Sequence, residues 1–457
     1  MAKKPKRLRP ILLDVPFSAD PPILTEASVG LSRIVRRTAS SYTMDVTVLD
    51  AVDGRLLRDG VTVAHRVVGG LGQWYLAAPR WQPELPAEAV EPLGGSGDLP
   101  RRIVDLIRPL LRGTPLGPIA ALTCERGEWA LRAEDGQTVA LVRDDRVTVR
   151  RSGMITARYR EITVTPTQHC APAQLAFLRL VGATVNATTV TTFPEIQQRL
   201  GAPATGLTNF PAPRALERGA TLEEFVSGVF AEHLNRIVRT DLHRRATDPT
   251  SVTELNTELS AFWKDLRGLA SVLEPSWRES TESLLSGLPF EGAAEAELPT
   301  LQVIDALVGA ARAPRLGDLA PAPAGNLLFE RAEKAAAILG DRCRALGPDS
   351  PDSAWQAALS AAEQLVRLAG VASPLLPKVN TLVEPLERIV VELGQCVHTD
   401  VAPDFATLTP EEAFQLGAES QRASTQVRKL RRALLKRWPD RVEEGRALLA
   451  RARKRLR

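Results

Sequence analysis

The apolar residues of this 457-residue chain change period near residue 200, and that change fixes the architecture more tightly than any single motif. Before it, the stretches 44–49, 60–68, 73–77 and 155–164 are β-branched or alternate apolar with polar residues, the pattern of strands with one buried face. Residues 129–132, 138–142 and 146–150 read the same way, and Asp135-Gly136 supplies a tight turn that makes a hairpin of the first two. Only 99–111, 173–181 and about 193–200 read as helices, the last stopped by Gly201. After the change, Leu222, Phe225, Val226, Val229, Phe230, Leu234 and Ile237 recur at helical spacing behind the capping box Thr221-Leu-Glu-Glu224. Further helices are predicted at 248–273, 275–286, 301–311, 325–346, 352–369, 379–397, 410–438 and 440–455. Pro and Gly crowd the stretch between the two patterns, which reads as a linker.

The expected fold is therefore α+β followed by all-α: a strand-rich N-terminal domain, then two helical bundles. We expect a β-rich domain at 1–202, a linker at 203–219 and a helical domain at 220–457, with halves at about 220–311 and 325–457. No apolar run approaches the roughly 18 residues of a membrane span, so no membrane contact is expected. The patch Ile11-Leu12-Leu13 behind the basic N-terminus is too short for a signal-peptide core. Cys124, Cys170, Cys343 and Cys396 lie far apart with no CxxC, which argues against a metal or disulfide frame and for a cytoplasmic protein. No GxxxxGK[ST] or GxGxxG occurs, so no cofactor is expected.

The net charge of +4 hides an asymmetry. Residues 1–9 carry five Lys or Arg and no acid, and residues 421–457 carry fourteen against three acids, which leaves −12 for the rest. Basic ends on an acidic body suit a polyanion contact at the ends, docking of the ends on the body, or a simple solvated face. Within 421–457, Arg428, Arg432 and Lys436 share a helical face, Lys429 and Arg431 flank it, and Arg437 extends it. Val427, Leu430, Leu434 and Trp438 form an apolar face on the same helix. A row of cations spaced by helical turns matches a phosphate chain or a nucleic-acid backbone. Aromatic residues do not interleave with these cations, which disfavours nucleic acid.

The segment Asp50 to Arg66 reads as strand, turn, short helical turn and strand, punctuated by Asp53-Gly54 and Asp59-Gly60. Asp50, Arg55, Leu57, Gly60 and Arg66 in that arrangement resemble the matching segment of CYTH domains, the triphosphate-tunnel enzymes. With the order of β domain, Pro-rich link and long helical domain, nearly the whole chain resembles the bacterial CYTH–CHAD proteins. The resemblance implies an N-terminal antiparallel β tunnel or barrel that holds a triphosphate with a divalent metal. It also implies a helical domain that binds inorganic polyphosphate, in a cytoplasmic protein associated with polyphosphate granules.

Measured against that family, many charges are missing. With Asp14-Val15-Pro16 as the anchor, the metal-binding ExExK falls on Leu8, Pro10 and Leu12. The tunnel Arg-x-Arg becomes Ala64-His65-Arg66, with His65 a candidate to enter beside Arg66, and a tunnel lysine becomes Ala77. Of the late acidic strand, Glu161 remains in Arg160-Glu-Ile-Thr-Val-Thr165. The residual tunnel set is Arg66, Arg126, Arg160 and Glu161, with no catalytic residue and no metal ligand set. In the helical domain Thr253 stands where the family has histidine, and only Lys264, Arg267 and Arg367 keep positive charge in the matching windows. His233 reads as a structural, hydrogen-bonded residue.

The expectation is a non-catalytic CYTH–CHAD relative that binds polyanions, chiefly polyphosphate, through Arg428, Lys429, Arg431, Arg432, Lys436 and Arg437. The alternatives are a pseudoenzyme scaffold that partners a paralogous or other protein subunit and a metal-dependent triphosphate or polyphosphate hydrolase.

Overall fold

The computed structural model of the protein describes residues 8–94, 97–213, 219–375, 380–397 and 409–456. It divides into two compact units. The first comprises Met1–Phe210 and Asp241–Pro249; the second comprises Pro211–Thr240 and Thr250–Arg457. The basic residues Lys3, Lys4, Lys6 and Arg7, and His398, lie outside the described residues.

The first unit is built on ten antiparallel strands: β1 (Ile11–Val15), β2 (Leu31–Arg36), β3 (Tyr42–Asp50), β4 (Thr62–Val68), β5 (Leu71–Ala77), β6 (Glu88–Pro92), β7 (Gly117–Ala133), β8 (Thr138–Arg151), β9 (Met154–Pro166) and β10 (Thr188–Val190). They pair in the order β10-β1-β9-β8-β7-β3-β4-β5-β6, with β2 on the later half of β7. The short helices α1 (Arg55–Arg58), α2 (Arg101–Leu111), α3 (Pro172–Leu180) and α4 (Ile196–Leu200) interrupt the strands.

Alternation gives the sheet two faces. On one, Leu13, Val142, Ile162 and Val164 pack with Leu178 of α3. On the other, Val48, Leu122, Val147 and Val149 pack with Leu57 of α1, Leu200 of α4 and Ala204. Segment 196–204 thus lies against the second face.

The Asp50–Arg66 segment has the predicted order. The buried Asp50 carboxylate accepts from the backbone N–H groups of Ala51, Leu56 and Leu57 at 2.6, 3.0 and 3.0 Å, so it starts α1. Burial raises its pKa, and the three N–H donors oppose that shift. Gly60 has φ +74°, and a Cβ there would lie 2.7 Å from Arg80 Cδ, so both conformation and space require glycine. Asp59, also buried, accepts from Thr208 Oγ1 and from the backbone and side chain of Asn209.

The second unit is helical: α5 (Leu222–Thr247, whose last turns group with the first unit), α6 (Thr253–Gly268), α7 (Pro275–Leu284), α8 (Ala293–Arg312), α9 (Ala324–Arg344), α10 (Asp352–Ala372), α11 (Asn380–Cys396) and α12 (Pro410–Leu456). The apolar stripe of α5 is buried as its spacing requires, and Phe230 meets Phe262 edge-on at 6.1 Å. Trp355, Leu365, Leu393, Leu434 and Trp438 form the core of α9 to α12. A Cβ on Gly268 would lie 2.7 Å from the Arg367 carbonyl oxygen, which marks the close approach of α6 and α10. His233 is buried with Nε2 2.8 Å from Asp265 and Nδ1 3.1 Å from Arg236.

Three expected elements differ. Residues 138–142 and 146–150 are one strand, β8, that runs through Arg143-Asp144-Asp145. Helix α8 begins at Ala293, not 301, because alanine favours helix even in a segment rich in Pro and Gly. The last two predicted helices are one, α12, which continues through Pro439.

Candidate functional site

The face of the sheet that carries Val48 and Leu122 also carries a row of polar residues. Strand register aligns Asp14 of β1 with Glu161 of β9, Glu161 with Asp145 of β8, Asp145 with Arg126 of β7, and Arg126 with Tyr42 of β3. Five neighbouring strands thus contribute one side chain each. Three adjacent carboxylates directly across from one another repel unless cations separate them.

Arginines do so. Arg126 grips Asp145 with two bonds, Nε to Oδ1 at 2.7 Å and Nη2 to Oδ2 at 2.9 Å, and donates to Tyr42 Oη at 3.0 Å. Arg143 lies 3.2 Å from Asp145. Arg199 of α4 reaches Glu161 at 3.0 Å and Asp14 at 3.5 Å, and its guanidinium lies 4.3 Å from the centre of the Tyr159 ring. Three acids therefore meet three arginines.

The balance appears in the pKa values. Burial pushes Glu161 above the usual carboxylate range, Arg199 opposes the shift, and Asp145 and Asp14 add to it. Burial works against the charge of Arg126, but Asp145 outweighs it and raises the pKa further. Burial, with help from Asp145, pushes Cys124 up to about 11. Tyr159 is raised by burial first and by Glu161 second. Among the described residues, no group of three or more His, Cys, Asp or Glu has the geometry to hold a metal ion.

The four residual tunnel residues separate. Arg126 and Glu161 belong to the row. Arg66 shares their face on β4, opposite Val46, where its guanidinium lies 3.1 Å from the centre of the Tyr75 ring and 3.9 Å from Glu88. Arg160 points to the opposite face, is fully buried, and holds Asp144 through Nε at 2.9 Å and Nη2 at 2.6 Å. His65 likewise faces away from Arg66, with its ring 5.1 Å from Trp74, because consecutive strand residues cannot share a face. The placement of the first strand needs correction. Leu8 and Pro10 precede β1, and Asp14 alternates onto the face of Leu12, so Glu161 does not lack carboxylate neighbours. Sequence reading missed Asp14, Arg143, Asp145 and Arg199. Two adjacent acids in the middle of an apolar strand were the available signal for Asp145.

On α12 the six predicted cations also separate. Arg431 is on the buried side with Leu434 and Trp438, donates to the carbonyls of Cys396 and Ser350, pairs with Asp352, and lies 5.0 Å from the centre of the Trp355 ring. Arg428 lies 3.3 Å from Asp349, and Arg437 lies 3.6 Å from Glu392. Lys429, Arg432 and Lys436 are exposed, opposite the buried side, at spacings of three and four that align them. Among the described residues none of these three contacts a carboxylate.

No family model matches the chain. Over 151 residues it is 25% identical to two uncharacterized proteins of Mycobacterium tuberculosis, from strains CDC 1551 / Oshkosh and ATCC 25618 / H37Rv. The match covers 33% of this chain and 29% of each relative, so the chain spans less than a third of the curated relatives it matches. A crystal structure of a "putative adenylate cyclase" from Bacillus halodurans is similar at 17% identity and a TM-score of 0.24, over 36% of this chain and 86% of that one. The strand pairing, rather than this likeness, carries the description of the fold. No helix among the described residues is long and apolar enough to cross a membrane.

Proposed function

We propose that this protein is a non-catalytic binder of polyanions, with inorganic polyphosphate as the ligand and the outer side of α12 as the contact. The observation that carries this reading is the exposed row Lys429, Arg432 and Lys436, which has no carboxylate contact among the described residues. A flexible phosphate chain can lie along such a row and release its counterions. The sheet face supports the non-catalytic half of the proposal. Arg199 bridges Asp14 and Glu161, so both carboxylates already have a cation beside them. Phosphate clamping would need cations free of their own acids, and Arg126, Arg143 and Arg199 are each engaged.

Titration of the full chain with polyphosphate across a range of salt tests the proposal. Binding should weaken with salt, with a slope of about −2 in log K against log salt for three contacts. No binding at low salt would remove the polyanion reading. Phosphate release from tripolyphosphate with magnesium or manganese should stay at background. A turnover that Glu161→Gln abolishes would restore the hydrolase reading.

A second reading, a scaffold for another protein subunit, has one observation in its favour. Phe414, on the first turns of α12, is 78% exposed, and Leu416 beside it is also exposed. A stoichiometric protein captured by the wild type and lost on Phe414→Ser would favour that reading.

A further inference from the structure

The second unit contains a half-open cavity of about 750 Å³ that the proposed function does not use. Its size falls within the range of small-molecule sites. Trp277 in the first turn of α7 lines it, with Ala306, Gly309 and Ala310 of α8 and the turn Ala313 to Gly317 that follows. Three charged residues line it as well: Glu274, Asp305 and Arg315. The wall is thus mostly small and apolar, with one large aromatic ring and a few charges, the usual make-up of a ligand pocket.

The charges decide the kind of ligand. Glu274 and Asp305 outnumber Arg315, so the formal charge of the lining is negative, and all three side chains are open to solvent. Helix α8 ends at Arg312, beside the cavity, and a helix C-terminus carries partial negative charge. The positive pole of α7 also lies here, but Glu274 immediately precedes that helix. Trp277 adds an aromatic surface; its neighbour Phe230 has its ring centre 5.5 Å away at a tilt of 43°. A cation beside an indole and two carboxylates is favoured twice, by the ring quadrupole and by charge. A Cβ on Gly309 would meet nothing within 4 Å, so a larger side chain there has space to enter. A glycine within a helix disfavours the helix by roughly 0.5–1 kcal/mol relative to alanine.

We infer that this cavity binds a small hydrophobic organic cation, an aryl or alkyl ammonium whose apolar part lies against Trp277 and the Ala306–Ala310 wall. Its ammonium group sits between Glu274 and Asp305.

Calorimetric titration of the full chain with benzylammonium tests this, with benzyl alcohol and phenylacetate as neutral and anionic counterparts. Benzylammonium should saturate below about 1 mM, with benzyl alcohol at least tenfold weaker and phenylacetate weaker still. Glu274→Gln and Asp305→Asn should each weaken benzylammonium several-fold, and Arg315→Ala should tighten it. Gly309→Leu fills the cavity without a clash at its Cβ and should abolish binding while the melting temperature holds or rises. The inference is overturned if benzylammonium fails to saturate, if either counterpart binds as tightly, or if Gly309→Leu binds unchanged in a folded protein.

Discussion

The sheet face and the outer side of α12 use cationic side chains to opposite ends. On the sheet, Arg126, Arg143 and Arg199 are spent on Asp145, Glu161 and Asp14, and the cluster is neutral. On α12, Lys429, Arg432 and Lys436 face solvent with no acid in contact among the described residues. A count of arginines cannot separate a structural cluster from a binding surface; their partners and burial can. Half-buried, paired guanidinium groups neutralise the carboxylates beside them. Exposed cations without a carboxylate contact attract a polyanion.

The comparison breaks first where burial is deepest. Arg160→Met should destabilise the protein by about 3–5 kcal/mol, because it leaves Asp144 buried and unpaired, as read from the urea midpoint. The double variant Arg160→Met with Asp144→Leu should recover much of that loss. If the single variant is neutral, the sheet's ion pairs do not hold the fold. Arg199→Met comes next, at about 1–2 kcal/mol, since Asp14 is partly solvent-screened.

A smaller effect concerns pH. Glu161 has a folded-state pKa raised above its ordinary 4.5, so the folded protein binds this proton more tightly than the unfolded chain does. Its contribution favours folding fully below pH 4.5 and is lost as pH rises through the raised value. Glu161→Gln should therefore flatten that part of a stability profile taken from pH 4 to 8. An unchanged profile would mean that the carboxylate is not buried as described. Charge reversal of Lys429, Arg432 and Lys436 should have the smallest effect on stability, within about 0.5 kcal/mol, because the three side chains are exposed.

Much of this arrangement was legible in the sequence. The change of apolar period located the longer strands and the helices but not the short strands β1, β2, β6 and β10, and turn chemistry at Asp53-Gly54, Asp59-Gly60 and Asp135-Gly136 located several joints. The β8 interior was misread because Arg143-Asp144-Asp145 looks like a break, yet Asp144 turns to buried Arg160 and Asp145 to Arg126. Charge pairs between strands far apart in sequence leave no local periodic trace. Arg199 illustrates this: it lies 185 residues from Asp14, and only the fold brings them together. The cations of α12 were found by spacing, but Arg431 was placed on the wrong side. Spacing gives the faces of a helix, not which acids on neighbouring elements will claim them.

The most direct test sets the two regions against each other in one assay. Polyphosphate is titrated at low salt into the wild type, into the α12 variant Lys429→Glu, Arg432→Glu, Lys436→Glu, and into the sheet-face variant Arg66→Met. Binding should survive Arg66→Met and vanish in the α12 variant. Loss on Arg66→Met with full binding by the folded α12 variant would contradict the account and return the ligand to the sheet.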